Sequence, residues 1–193
     1  MLPARVAIDP RESLDSYLER IALVNDLTTK SLVRMLKENR DGSSVSTAFM
    51  LVRPSDELVG RIVDLTGLGA SAVENSTLLR YDGGAPLNLD GFDPLDRASY
   101  RAIVCQGWFP QHGTQLCPLC LSHDGIWQLS WKLPVSTVCP DHGVYLVAEC
   151  SRCSRRFRTR HHSPLRPRLD EHQPCGNPLG FSAPCRHSIL REK

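Results

Sequence analysis

Residues 117–142 read CPLCLSHDGIWQLSWKLPVSTVCPDH, and two ligand pairs of identical internal spacing bracket this stretch. The first pair is Cys117 and Cys120, the second is Cys139 and His142, and 18 residues separate the pairs. A gap of two residues lets both side chains of a pair face one ion, and four such ligands at tetrahedral corners suit zinc. A redox Cys-x-x-Cys needs no second pair, so the stretch predicts a structural zinc site.

The insert between the two pairs alternates apolar and polar side chains from Trp127 to Leu133 and is followed by Pro134. Strict period two over this length predicts a β-strand with one apolar face. A strand between two metal-binding turns is typical of a zinc ribbon, in which Trp127 and Trp131 would supply much of the small core. Stacking of these tryptophans on nucleic-acid bases is the alternative interpretation.

A second Cys-x-x-Cys pair, Cys150 and Cys153, begins another candidate metal site. Its partners are less regular, since Cys175 and Cys185 are separated by nine residues. A zinc site with four cysteines is the best assignment. Four histidines are alternative ligands in place of the last two cysteines: His161, His162, His172 and His187. The remaining cysteine, Cys105, follows two apolar residues, and we expect an ordinary buried thiol there.

Charge is distributed unevenly along the chain, although the net charge is only +2. Residues 150–193 contain 10 Lys and Arg against 3 Asp and Glu, whereas residues 1–149 contain 13 against 18. Five arginines, with Phe157 among them, fall within nine residues of the basic part: Arg152, Arg155, Arg156, Arg158 and Arg160. Arginine at this density favours phosphate contacts and predicts a nucleic-acid site, with a merely solvated face of a zinc module as the alternative.

The N-terminal third has the apolar periodicity of helices. Ser13 is a candidate N-cap ahead of an apolar stripe that begins at Leu14. Thr28 or Thr29 could cap a second helix over residues 31–37.

Residues 54–80 predict a pair of helices. The first helix begins after Ser55 and ends at Gly67, and a capping box predicts a second helix from about Ala72 to Arg80. Two short helices joined by a glycine turn have the geometry of a helix-turn-helix. Arg80 is the candidate DNA contact of this pair, and a helical hairpin that only builds core is the alternative.

Together these patterns predict a small, zinc-stabilised α+β protein in four parts. A helical domain with the helix-turn-helix occupies residues 1–80, and an Asp-, Gly- and Pro-rich loop or linker follows over 81–104. A first zinc-ribbon module occupies 105–149, and a second, basic zinc module occupies 150–193.

Catalytic and membrane functions lack support in the sequence. Both metal sites would have four protein ligands and no open position for water, and the motifs of zinc hydrolases, phosphate loops and nucleophile elbows are absent, so we expect no enzymatic activity. No apolar run approaches the roughly 20 residues that span a bilayer, and residues 1–11 lack the apolar run of a signal peptide. We expect a cytoplasmic protein whose cysteines bind metal rather than form disulfides.

The combined order of these motifs resembles the TniQ family, the target-site selection proteins of transposons. The resemblance rests on residues 2–6 and 12–18, Thr66-Gly67-Leu68, Thr77-Leu78, the first ligand quartet with Trp127, Trp131, Leu133-Pro134 and Gly143, and residues 175–179 with Cys185. It implies a helix-turn-helix followed by two zinc-ribbon modules, two zinc ions per chain and no enzymatic activity. The chain is similar to the short form of the family, without a long C-terminal extension.

The resemblance further implies an adaptor role, in which the protein joins a target-recognition element to the transposon's AAA+ ATPase. In some systems that element is a CRISPR effector with its guide RNA, so DNA and RNA are both expected partners. A zinc-containing helix-turn-helix transcription regulator is the alternative function. A transposase or integrase is disfavoured, because an integrase-type zinc module places two His before two Cys, whereas the order here is Cys, Cys, Cys, His.

Overall fold

The computed structural model describes residues 1–38, 43–84, 87–105, 113–158, 165, 173–180 and 183–192. Within these residues the secondary structure consists of helices and isolated antiparallel β-bridges. The α-helices are α1 (Leu14–Val24), α2 (Thr29–Lys37), α3 (Asp56–Thr66), α4 (Ala70–Asn75), α5 (Arg97–Val104) and α6 (Pro118–Asp124). Short 3-10 helices span Leu78–Tyr81, Leu129–Lys132 and Ile189–Arg191. None of the helices in these ranges is long and apolar enough to cross a lipid bilayer.

The first three helices begin where their capping residues predict. Ser55 and Thr28 accept hydrogen bonds from backbone N–H groups in the first turns of α3 and α2. Ser13 occupies the N-cap position of α1, but its hydroxyl donates to the carbonyl of Trp127 instead of capping the helix. Gly67 ends α3 in the left-handed conformation, with φ of 76°. The predicted helical character of the N-terminal part is therefore confirmed.

The second helix of the predicted pair is shorter than expected. It begins at Ala70 with Gly69 at the N-cap, so the predicted capping box is not formed. It ends at Asn75, because the hydroxyls of Ser76 and Thr77 donate back to backbone carbonyls of the preceding turn and compete with helix continuation. The prediction of a helix as far as Arg80 is wrong, since that residue lies in the following 3-10 helix.

The apolar faces of α1 to α4 pack into one N-terminal core. Its largest fully buried helical side chains lie at spacings of three and four residues. They are Leu14, Tyr17, Leu18 and Ile21 of α1, Leu32 and Leu36 of α2, and Leu58 and Ile62 of α3. This core fixes the three longer helices against one another.

Residues 127–133 do not form the predicted strand. Leu129–Lys132 is a 3-10 helix, and this turn separates side chains that a strand would place on one face. Trp127 and Trp131 enter the core around the cysteine clusters, whereas Leu129 and Leu133 enter a second core. Both tryptophans are buried, so the prediction that they pack in a core is confirmed.

That second core is built mainly by the segment predicted as a loop. Leu87, Leu89, Phe92 and Ile103 pack there with Leu129 and Leu133. The last part of the segment is α5, whose first turn is capped by the side chain of Asp96. The prediction of a plain loop over 81–104 is thus wrong for residues 97–104.

A third core surrounds both cysteine clusters. It combines cysteines of the two quartets with Trp127, Trp131 and Phe157. The Trp127 ring centroid lies 6.2 Å from that of Trp131 and 6.5 Å from that of Phe157. The segments 105–149 and 150–193 therefore share one core, and their division into two modules stays a prediction.

Two glycines of α3 provide a matched test of this fold. We expect Gly60→Ala to raise the free energy of unfolding by about 0.5–1 kcal/mol, because alanine favours a helix interior and a Cβ at Gly60 would meet no atom within 4 Å. Gly67→Ala should lower it by about 1 kcal/mol or more, because a side chain is strained at positive φ. Urea unfolding of both variants measures the difference, and equal effects would contradict the assigned end of α3.

Candidate metal centres and basic surface

The first cysteine cluster is formed by the start of α6 and one tight turn. Cys117 is the N-cap residue of α6 and Cys120 lies in its first turn, with Pro118 at the first helical position. Cys139 begins the turn, in which the N–H of Gly143 donates to the Cys139 carbonyl at 2.8 Å. His142 lies within this turn, so its side chain meets the three thiols.

The ligand atoms of this cluster have the separations of a tetrahedral metal site. The Sγ atoms of Cys120 and Cys139 are 3.5 Å apart. His142 Nδ1 lies 3.7, 3.3 and 3.5 Å from the Sγ atoms of Cys117, Cys120 and Cys139. Bonds of about 2.3 Å to sulfur and about 2.0 Å to nitrogen give tetrahedral edges of about 3.8 Å (S–S) and about 3.5 Å (S–N). The four residues could therefore hold a metal ion.

The second cluster is closed by the C-terminal segment. Its four potential ligand atoms, the Sγ atoms of Cys150, Cys153, Cys175 and Cys185, lie within 4.8 Å of one another. Cys150 is 4.0 Å from Cys185 and Cys153 is 3.8 Å from Cys175. This group could hold a second metal ion.

Among the histidine alternatives for this cluster, His187 has other partners. Its Nε2 atom lies 3.2 Å from the hydroxyl of Ser151 and 3.3 Å from the carboxylate of Glu192. His161, His162 and His172 lie outside the described residues. The second cluster therefore consists of four cysteines, and the His187 side chain contacts Ser151 and Glu192.

Burial shapes the acidity of these thiols. It raises the pKa of Cys150 to about 11 and also raises the pKa values of Cys120 and Cys175. At Cys139 burial acts in the same direction, but hydrogen bonds from His142 outweigh it and lower the pKa to about 7. Thiolates are the metal-binding form of cysteine. Several neighbouring thiols ionise together at low cost only with a cation between them, so the clusters are chemically suited to metal.

Cys105 differs from its prediction. It follows the last residue of α5 and is exposed, whereas Ile103 of the same helix is buried. Of the apolar neighbours that suggested burial, Ile103 is buried in the second core and Val104 packs partly buried against it, but the thiol that follows them is outside this core. The prediction of a buried thiol is wrong.

The arginines predicted to bind nucleic acid fall into different environments. Arg152, Arg155 and Arg156 are exposed on the turn that carries the second cluster. Arg160 lies outside the described residues. Arg80 is exposed and donates a hydrogen bond to the carbonyl of Pro10.

Arg158 is a correction to that set, because its side chain is only 6% exposed and is paired within the chain. It forms ion pairs with Asp15 and Glu19 of α1, the latter at 2.9 Å. Its guanidinium carbon lies 4.2 Å from the centroid of the Trp127 ring. The backbone of Arg158 is in the left-handed region, with φ of 56°. The Arg158 guanidinium therefore contacts groups within the chain and is not exposed for binding to a phosphate backbone.

Lys132 completes this buried charge network. Its ammonium lies 3.0 Å from the Asp15 carboxylate. Burial raises the pKa of Asp15, but the charges of Lys132 and Arg158 outweigh it, so the pKa lies well below its ordinary value. The network joins α1 to both cysteine-bearing segments.

Sequence reasoning missed this network, although α1 carries a signal for it. Asp15 and Glu19 recur at the spacing of one helix face, Glu12 lies just before the helix, and all three are buried. Glu12 pairs with Arg20 at 2.6 Å, and it also accepts a hydrogen bond from Ser16. An acidic stripe beside an apolar stripe is usually a solvated face, and only its partners reveal it as an interface.

The described structure is thus that of a helix-rich protein with two four-residue clusters suited to metal ions. The family model TniQ matches residues 3–146, a span that includes α1 to α6 and the first cluster. The chain belongs to the TniQ family, which associates it with transposition. No curated protein matches the sequence.

The buried network predicts unequal effects for two neighbouring arginines. Arg158→Gln should lower the free energy of unfolding by about 3–5 kcal/mol, because it removes the cation paired with the buried Glu19 carboxylate and leaves Lys132 as the cation beside Asp15. Arg152→Gln removes an exposed arginine from the same segment and should leave stability essentially unchanged. Urea unfolding at neutral pH measures both variants.

Acid titration provides the control for this assignment. The folded-state pKa of Asp15 is lowered from 3.8. Its stabilising contribution is therefore present above that value and is lost as pH falls through the folded-state pKa. Asp15→Asn should remove this part of the acid sensitivity. Similar losses in Arg158→Gln and Arg152→Gln would show that the network does not stabilise the chain.

Proposed function

We propose that this protein is a non-enzymatic, zinc-binding adaptor of DNA transposition, which links a target-recognition element to the AAA+ ATPase of its transposon. The observation that carries the proposal is a TniQ match over residues 3–146 together with two clusters of four metal-binding side chains. Such clusters supply folding energy and contact surfaces rather than chemistry. The reactions of transposition then belong to its partners.

Zinc is the metal that suits both clusters. One offers three thiols and an imidazole, and the other offers four thiols. Thiolate ligands at tetrahedral corners favour zinc over harder divalent ions. Four protein ligands also fill every corner, which leaves no position for a reactive water, so both sites are structural.

Purified protein should contain close to two equivalents of zinc per chain, measured by elemental analysis without added metal. Cys117→Ser should lose about one equivalent and the near-UV signal of Trp127 and Trp131, because structural zinc contributes folding free energy directly. Cys105→Ser is the matched control, since this exposed cysteine lies outside both clusters. A zinc content near zero in the folded protein, or equal content in the two variants, would contradict the assignment.

The helix pair α3–α4 is the proposed protein-contact surface. As a helix-turn-helix it is poorly equipped for DNA, because α4 has six residues and no basic side chain. Beside α4 lies a cleft of about 350 Å³, which is lined by Pro10, by Ala72 and Asn75, and by the charged residues Asp9, Glu12 and Arg80. A concave surface of this size suits a partner's side chain better than a phosphate backbone. The lack of basic side chains in α4 also argues against a transcription regulator that binds DNA by itself.

The exposed arginines of the second cluster are the proposed nucleic-acid contact. Arg152, Arg155 and Arg156 are exposed, and so are Arg186 and Arg191 of the same basic C-terminal segment. Several guanidinium groups on a metal-braced turn suit phosphate oxygens of DNA, or of the guide RNA of a CRISPR effector. The buried network holds this turn in fixed register with α1, and thereby with the helix pair.

Binding assays with the full-length protein test the adaptor model. The probes are the ATPase encoded beside it, the target-recognition complex and a DNA duplex. Ser71→Arg combined with Asn75→Arg alters exposed positions of α4. This variant should lose one of the two protein associations by steric conflict and keep its zinc.

The same variant distinguishes the two roles of the helix pair. If the pair contacts DNA, two added arginines should instead raise duplex affinity, because that affinity rests largely on phosphate neutralisation. Replacing Arg152, Arg155 and Arg156 with Gln is the complementary variant, and it should weaken nucleic-acid binding while keeping both protein associations. Retention of both associations by the α4 variant, or cutting or joining of DNA by the intact protein alone, would show the adaptor model to be wrong.

A further inference from the structure

Helix α2 carries a row of cations on its exposed face. Lys30, Arg34 and Lys37 recur at intervals of four and three residues and are all exposed. Within the described part of the chain, no carboxylate lies within 4.0 Å of any of the three. The row therefore has no internal counter-charge in the described structure.

Stabilisation of the helix does not account for this row. Cations near a helix C-terminus can satisfy its last carbonyls, but Arg61 of α3 already donates to the carbonyls of Met35 and Glu38. Lys30 lies in the first turn, where the helix dipole disfavours a positive charge. Helices α1 and α3 place acidic residues in that position, whereas α2 has none.

The opposite face of α2 holds the row in place. Leu32 and Leu36 are fully buried in the N-terminal core, where α2 packs against α1 and α3. At a rise of 1.5 Å per residue the three cations span about 10 Å along a fixed axis. Their charged groups are thus presented as a rigid, nearly straight line.

We infer that this face of α2 binds the phosphate backbone of double-stranded DNA, as a contact separate from the arginines of the second cluster. A rigid row of cations complements the regular charge of a duplex, which carries one phosphate per about 1.7 Å of its axis. The helix sequence TKSLVRMLK has no aromatic side chain on which unpaired bases could stack. Its large apolar side chains pack toward the core rather than toward a lipid surface.

Salt dependence of binding tests the inference with the full-length protein. The probe is a random-sequence duplex of about 30 base pairs, long enough to avoid end effects at the scale of the Debye length. Replacing Lys30, Arg34 and Lys37 with Gln should make the negative slope of log Kobs against log salt shallower by about 2 to 3 units, close to 0.9 per phosphate contact. Glutamine keeps helix propensity, which far-UV circular dichroism verifies.

Matched variants keep the test decisive. Arg97→Gln combined with Arg101→Gln removes two exposed cations from α5 and should leave the slope unchanged. If the triple variant does not fold, Lys30→Gln alone should reduce the magnitude of the slope by about one unit. An unchanged slope in the α2 variants, or an equal fall in the α5 variant, would overturn the inference.

Further probes separate the α2 contact from other binding. Loss of binding to single-stranded RNA or to phosphatidylserine vesicles, with duplex binding intact, would also overturn the inference. The inference does not rest on the proposed adaptor function. Replacing Arg152, Arg155 and Arg156 changes the proposed nucleic-acid contact without touching α2, so failures of the two proposals are distinguishable.

Discussion

The buried guanidinium of Arg158 is the constraint around which the rest of the described structure is arranged. A cation that is removed from water is tolerated only when carboxylates and an aromatic face replace its hydration. Asp15 and Glu19 supply the carboxylates and Trp127 supplies the ring. Because these groups come from α1 and from both cysteine-bearing segments, one ionic contact ties together parts of the chain that are distant in sequence.

The metal clusters and the charge network constrain the chain at different scales. Each cluster closes short turns, such as the one from Cys139 to Gly143, and so determines local backbone geometry. The charge network instead constrains the tertiary arrangement, since it orients the clusters relative to the N-terminal helices. Their shared core, with Trp131 and Phe157 at its centre, makes this orientation part of the folded unit rather than a property of a linker.

This arrangement leaves three separate surfaces that are proposed to contact partners. The exposed arginines of the second cluster and the cationic face of α2 are the two proposed phosphate contacts, whereas the small cleft beside α4 is lined by two acidic residues and one arginine, Asp9, Glu12 and Arg80. In the proposed adaptor function of this TniQ family member, such separate surfaces would each contact a different partner. Because the three surfaces would be held in fixed relative positions, they would also determine how bound partners are oriented.

Local patterns in the sequence determined the first cluster of metal-binding side chains, the starts of α2 and α3 and the end of α3, because spacing and capping act over a few neighbouring residues. Only the tertiary structure decided the conformation of residues 127–133. Their alternation predicts a strand, but their apolar side chains divide between two cores. It also decided that Arg158 is buried while Arg152, in the same basic run, is exposed. A charged side chain is internal only if its counter-charges arrive from elsewhere, and the acidic face of α1 lies more than a hundred residues away along the chain.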